Sequence, residues 1–271
     1  MHFFRKLLDF YINSSIHVAL SVFSLVKMTQ FLFPISDDPS VAFFAFFGTI
    51  VGYNFVKYDA LARTQKAQMR NQLKGIAVLS CMALIGTGYY FFKLQMVTQS
   101  IAFGFLLLTM LYTLPFFPNK RNARNWAGIK IYIVTLCWVG VTLFLPVINA
   151  GIHFTTAVFL VALQRFILVF VLILIFEIID LQTDDPHLLT VPQQIGVKQT
   201  KIIGSLLLFI FVSLEFLDTN FAYPTLFLKT GIALTVFLFL FFANEKHSKY
   251  YTSFWVESVP LLWWIFVLIF S

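Results

Sequence analysis

The sequence predicts an all-α, polytopic membrane bundle, and three observations predict it. Hydrophobic residues make up 59% of the 271 residues and charged residues only 11%, against about 25% charged in an ordinary soluble domain. The mean hydropathy is +0.85, more apolar surface than a water-soluble core of this size can bury. A window of about 19 residues finds repeated membrane-length apolar runs separated by polar loops.

Nine spans are predicted, near 14–33, 41–58, 76–94, 99–117, 129–149, 154–178, 201–216, 224–243 and 253–270, in a single membrane domain over 1–271. The first follows MHFFRKLLDF, which has a basic pair but no A-x-A-like cleavage site after it. It is therefore read as a span and not as a cleaved signal. The second ends in the polar stretch TIVGYNFVKYDALAR. The third and fourth flank Lys93, and the fourth leads into LYTLPFFPNKRNARNWAGIK before the fifth. The sixth contains the apolar run VALQRFILVFVLILI and passes directly into FEIIDLQTDDPHLLTV. The seventh is the shortest, and NEKHSK separates the eighth from the ninth.

Charge sets the orientation. With the N-terminus cytoplasmic, fifteen Lys and Arg residues fall on the inside and Lys93 alone on the outside, where loops such as PISDDPS are acidic. The positive-inside rule then predicts N-terminus in and C-terminus out, and the expected location is a bacterial inner (cytoplasmic) membrane. The net charge of +7 belongs to this topology and not to a nucleic-acid partner. Cys81 and Cys137 lie in apolar runs without CxxC or His/Cys spacing, which argues against a disulfide framework or a zinc site. No nucleophile triad, Walker loop, GxGxxG or haem-ligand pair is present, so soluble-enzyme chemistries lack support. The 35 Phe residues suit either lipid-facing filler or a ring-lined interior.

The chemistry concentrates after the sixth span. Glu177, Asp180 and Asp184 are spaced three and four apart, so on a continuing helix they share one face. Like charges at that spacing repel. Converging carboxylate oxygens are what a hard divalent cation takes, and Mg²⁺ typically combines one or two carboxylates with phosphate oxygens and water. The trio is therefore a candidate metal site, while Asp185 reads as a helix stop before Pro186.

The run EIIDLQTDDPHLLTVPQQIG resembles the second signature of the UbiA superfamily of intramembrane prenyltransferases. Its acids, threonine, proline and glycine fall at Glu177, Asp180, Asp184, Thr190, Pro192 and Gly196. Nine spans with an inside N-terminus, and a Tyr-then-basic loop after span four, are also similar to that family. The resemblance implies a helical bundle whose acidic motifs hold Mg²⁺ against the diphosphate of a polyprenyl donor, with transfer of the prenyl group to an aromatic or other lipid-soluble acceptor. It implies catalytic roles for Asp180 and Asp184, with Lys57 as a cationic substitute. Diphosphate contacts are implied at Asn54, Tyr112, Arg121, Lys130 and Lys198.

The first signature of the family, N-D-x-x-D-x-x-x-D, is broken here as N-F-V-K-Y-D-A-L-A. Asn54 fits, but Phe55, Tyr58 and Ala62 stand where acids are expected, and Asp59 is one residue out of register, about 100° round a helix. Lys57 can offset diphosphate charge or serve as a snorkelling interfacial anchor. A catalytically lost member that binds isoprenoid lipid or a partner protein is thus the alternative to an enzyme. A small transporter is a third reading, resting on Lys27, Arg165, Lys229 and Glu257 within or near spans, although these are scattered.

Overall fold

The computed structural model describes residues 2–33, 35–36, 38–64, 70–113, 128–218 and 221–270. The order is α1 His2–Asn13, α2 Ile16–Leu32, α3 Ser40–Thr64, α4 Arg70–Phe91, α5 Met96–Thr113, α6 Lys130–Val139, α7 Leu145–Asn149, α8 Thr156–Ile179, α9 Val191–Ser213, α10 Tyr223–Phe242 and α11 Val259–Phe270. No strand occurs among the described residues, as the hydrocarbon solvent dictates: a helix satisfies its backbone groups within one segment. A π-helical turn, Gly140–Phe144, joins α6 to α7, and another, Tyr251–Val256, precedes α11.

Seven helical segments among the described residues are long and apolar enough to cross a membrane, or eight if α1 and α2, bent by 58°, form one span. Among the described residues a helix overlaps each predicted span, and residues 114–117 of the fourth lie outside them. The apolar fourth, Met96–Met110, is shorter than membrane length within the described residues, so the count of nine is not established.

The helices gather into two compact units, Met1–Gly104 with Val141–Gly151 and Phe105–Gly140 with Ile152–Ser271. In the first, Ala19, Ile50 and Ala83 form a buried core with Phe46, Phe47 and Leu79 around it. Thr29 Oγ1 donates to Thr142 O at 2.7 Å, tying α2 to the turn before α7. In the second, α8 is the central element: Leu168, Val171, Leu174, Ile175 and Ile178 are fully buried, and α6, α9 and α10 pack around it.

Gly140, in the π-helical turn after α6, makes room for the Phe105 ring of α5. A Cβ placed there would lie 2.0 Å from the Phe105 ring. Gly140→Ala is expected to destabilise by about 1–3 kcal/mol through overpacking. Thermal unfolding in detergent checks this, and adding Phe105→Leu should recover part of the loss; an unshifted midpoint for Gly140→Ala contradicts the packing account.

One expectation needs correcting. The helix does not continue through Asp184; α8 ends at Ile179 with Asp180 as its C-terminal cap. Asp180 N–H still reaches Phe176 O, but the Asp180 carbonyl then accepts from both Thr183 N and Asp184 N at 2.8 Å, which closes a turn. Downstream, Pro186 keeps Asp185 out of the helical region, at φ −58° and ψ 128°.

Candidate functional site

The acidic stretch sits where α8 hands over to α9, and each of its carboxylates has a different task. Glu177 is 3% exposed, and its Oε2 accepts from Val191 N at 3.0 Å. This fastens the end of α8 to the start of α9, where the orphan N–H groups and the helix dipole favour an anion. Gln193 Oε1 accepts from Thr190 N at 2.9 Å, the reciprocal arm of a capping box. Gln194 Nε2 donates to Leu189 O, which ties the connecting loop to α9, and Gly128 N to Leu188 O at 3.2 Å, which ties it to the segment before α6. Gly196, at φ 80°, interrupts α9; that left-handed backbone explains a glycine there.

Asp180 and Asp184 follow the helix end. The Asp184 carboxylate lies 3.9 Å from Lys130 Nζ through Oδ2, yet that oxygen is buried and accepts no hydrogen bond. Burial holds the Asp180 carboxyl above its ordinary range, and the neighbouring Asp184 charge adds to this; Lys249 and Lys130 pull it down. Two acids thus stand beside two cations. Asp185 is separate and exposed: its Oδ1 accepts from His187 N at 2.9 Å, which holds its carboxyl below the usual range. The expected stop at Asp185 is therefore displaced: α8 has already ended at Ile179, and Asp185 caps the 3-10 turn Pro186–Leu188.

The three-acid metal site is not formed. No three His, Cys, Asp or Glu side chains are placed to hold a metal ion among the described residues, because α8 ends before Asp184 and Glu177 is committed to Val191. A cation bridged to phosphate needs only one or two carboxylates. The unsatisfied Asp184 Oδ2 beside Asp180 fits that smaller requirement.

The remaining predicted residues fall as follows. Lys130 is at the site. Lys198 is exposed on α9 beyond the Gly196 break. Tyr112 is in the last turn of α5, its side chain outside the described residues, and Arg121 lies outside them altogether. Asn54 and Lys57 belong to the first unit. Asn54 is 4% exposed; it accepts from Ser15 Oγ at 2.8 Å and donates to Ser14 O at 3.1 Å and Ser80 Oγ at 2.9 Å. Lys57 Nζ reaches Asn13 O at 3.5 Å and Asn13 Oδ1 at 3.4 Å. These bonds tie α3 to the α1–α2 break.

Two features escaped the sequence reading. Lys249, one of the fifteen cations on the expected inside, acts on Asp180. The second is a buried cluster on α8, the 3-10 turn Leu214–Leu217 after α9, and α10: Lys229 Nζ pairs with Glu215 Oε2 and donates to Gln164 Oε1 at 2.9 Å. Gln164 Nε2 donates to Glu215 Oε2 at 3.1 Å. Lys and Glu fourteen residues apart on different helices carry no local pattern that announces a pair.

The fold and this site define a class: a polytopic α-helical membrane protein with the UbiA-type fold. The chain is similar to a UbiA homolog from Archaeoglobus fulgidus solved with bound Cd²⁺, at TM-score 0.60 and 14% identity, covering 95% of this chain and 98% of that one. It is also similar to a digeranylgeranylglyceryl phosphate synthase, at TM-score 0.55 and 16% identity over 98% and 97% of the two chains. No family model matches the sequence, and no curated protein does.

Proposed function

We propose that the protein is a prenyltransferase of the UbiA type, moving a polyprenyl group from its diphosphate to a lipid-soluble acceptor at the cytoplasmic face of a bacterial inner membrane. The observation that carries this reading is Asp184 Oδ2, a buried carboxylate oxygen without a hydrogen bond, set beside Asp180 and Lys130 on this fold. Asp180 and Asp184 would hold Mg²⁺. When bound, the ion would neutralise charge on the departing diphosphate. Lys130 and Lys249 orient the same anion as point charges, and Lys198 is proposed as a further contact. Glu177 acts through the backbone, keeping α8 and α9 in register so that the Asp180–Asp184 turn is presented in one conformation.

The decisive experiment incubates the purified chain in lipid with labelled polyprenyl diphosphates and Mg²⁺ against aromatic and other lipid-soluble acceptors. Metal-dependent prenylated product supports transfer. Binding of the diphosphate without product with any acceptor supports a second reading, an isoprenoid-binding protein that has lost the reaction. That reading is favoured by Asn54 and Lys57, whose polar atoms are spent on Ser14, Ser15, Ser80 and Asn13.

A further inference from the structure

The stretch that departs from the family signature has a use of its own. Asn54 and Lys57 make the bonds given above, and Tyr58 OH donates to Asn13 O at 2.8 Å. All three reach the same short segment, Asn13–Ser15, where the chain turns by 58° between α1 and α2. Ser15 there takes φ 62°, a strained conformation for a residue with a Cβ. A left-handed serine persists only where its surroundings over-determine it, and Asn54, Lys57 and Tyr58 supply that restraint. They stand where a metal-binding motif is expected and serve as a clamp on an elbow.

What the elbow aims is α1. At 100° per residue, Arg5, Lys6, Asp9 and Asn13 fall within an arc of about 100°, and Phe4, Leu7, Leu8 and Tyr11 occupy the opposite side. At the far end of the apolar side Phe4 is 76% and Leu7 59% exposed. Phe10 packs against Gly75 at the start of α4, where a Cβ would lie 3.3 Å from its ring. A twelve-residue helix cannot cross a bilayer. A short helix with one apolar face and a basic polar face, joined by a fixed bend to a buried apolar helix, matches a segment lying in the membrane interface.

We infer that α1 is an interfacial helix, its apolar face seated in the acyl–headgroup boundary and Arg5 and Lys6 paired with anionic lipid headgroups, with the Asn54–Lys57–Tyr58 clamp fixing its angle. Charge complementarity selects the occupant: two adjacent cations on the polar face suit the negative surface of a lipid leaflet. The inference is independent of whether the protein transfers prenyl groups.

The full chain, with Cys81 and Cys137 replaced by serine, is given a single cysteine at Leu8 or at Lys6 and labelled with an environment-sensitive fluorophore. It is then reconstituted in phosphatidylcholine vesicles with or without phosphatidylglycerol. The label at position 8 should be blue-shifted and quenched by nitroxide lipids but not by aqueous iodide; the label at position 6 should behave oppositely. Arg5→Gln with Lys6→Gln should reduce the gain from phosphatidylglycerol on the order of ten-fold or more, since each such cation near an anionic surface is worth about 1 kcal/mol. Tyr58→Phe, a change that preserves packing, should lower the anisotropy of the label at position 8 without shifting the unfolding midpoint by more than a few degrees; Asn54→Ala should do so more strongly. Equal water access at both positions, or shielding at position 8 that lipid quenchers do not reach (the signature of a second copy or a protein partner), overturns the inference. An anisotropy unchanged in both clamp variants overturns the clamp.

Discussion

Asp184→Asn is expected to lower Mg²⁺-dependent turnover on the order of 100-fold or more, the scale seen when one preorganised electrostatic contact to a developing charge is removed. The substitution is nearly isosteric, so the turn closed on the Asp180 carbonyl and the Glu177–Val191 bond should survive, and the unfolding midpoint should stay near that of the native chain. The loss then belongs to the charge on an oxygen that has no hydrogen bond in the folded protein. Asp180→Asn should act similarly, and it also carries a pH signature. Burial and Asp184 hold the Asp180 carboxyl above its ordinary value of 3.8. Cation binding needs the ionised form, so it should weaken as pH falls through that raised value, at a higher pH than for an ordinary aspartate. Without the cation the sign reverses: a raised carboxyl pKa contributes stability below the unfolded value and loses it as pH rises through the folded one. Titrating Mg²⁺ affinity and the unfolding midpoint against pH, in the native chain and Asp180→Asn, measures both. Full turnover in Asp184→Asn, or a pH profile that Asp180→Asn leaves in place, removes these acids from the reaction.

The largest effect on stability is expected at Lys229. Lys229→Met leaves Glu215 buried at 1% exposure without its cation. Breaking a buried pair from one side costs about 3–5 kcal/mol, because the remaining charge has lost both water and partner. Gln164 limits the damage only partly, since its one amide donates to Glu215 Oε2 and to Phe211 O. Adding Glu215→Gln should recover most of the loss, leaving a neutral, hydrogen-bonded cluster. Chemical unfolding in detergent of the two single variants and the double gives the coupling energy. Additive effects would mean that the pair is not the unit that holds α8, α9 and α10 together. The cluster also bears on Lys229 as part of a transport path: its ammonium is tied to two fixed partners, which suits a structural tie between helices.

The identity and order of the helices were legible in the sequence because a hydrocarbon solvent leaves few options. Long apolar runs must be helical, and their lengths and the lysine asymmetry need no tertiary information. Thr190, Pro192 and Gly196 stood out only through the resemblance, and the structure gives their local use: a cap, a first-turn proline and a left-handed glycine in α9. The acids were legible as a cluster, and local spacing alone placed three of them on one helical face. That face does not exist, since a backbone turn on Asp180 ends the helix first.

Sequence by itself thus determined what each segment is: the apolar helices and a run of acids where α8 ends. Only the tertiary structure decided what each polar side chain meets. It gave Glu177 to the backbone of Val191, left an Asp184 oxygen without a hydrogen bond, joined Glu215 to Lys229, and turned Asn54, Lys57 and Tyr58 toward the α1–α2 elbow. The physical reason is that helix formation is set by near neighbours and the solvent. Satisfying a buried polar group instead depends on atoms brought from distant parts of the chain, and no local spacing encodes them.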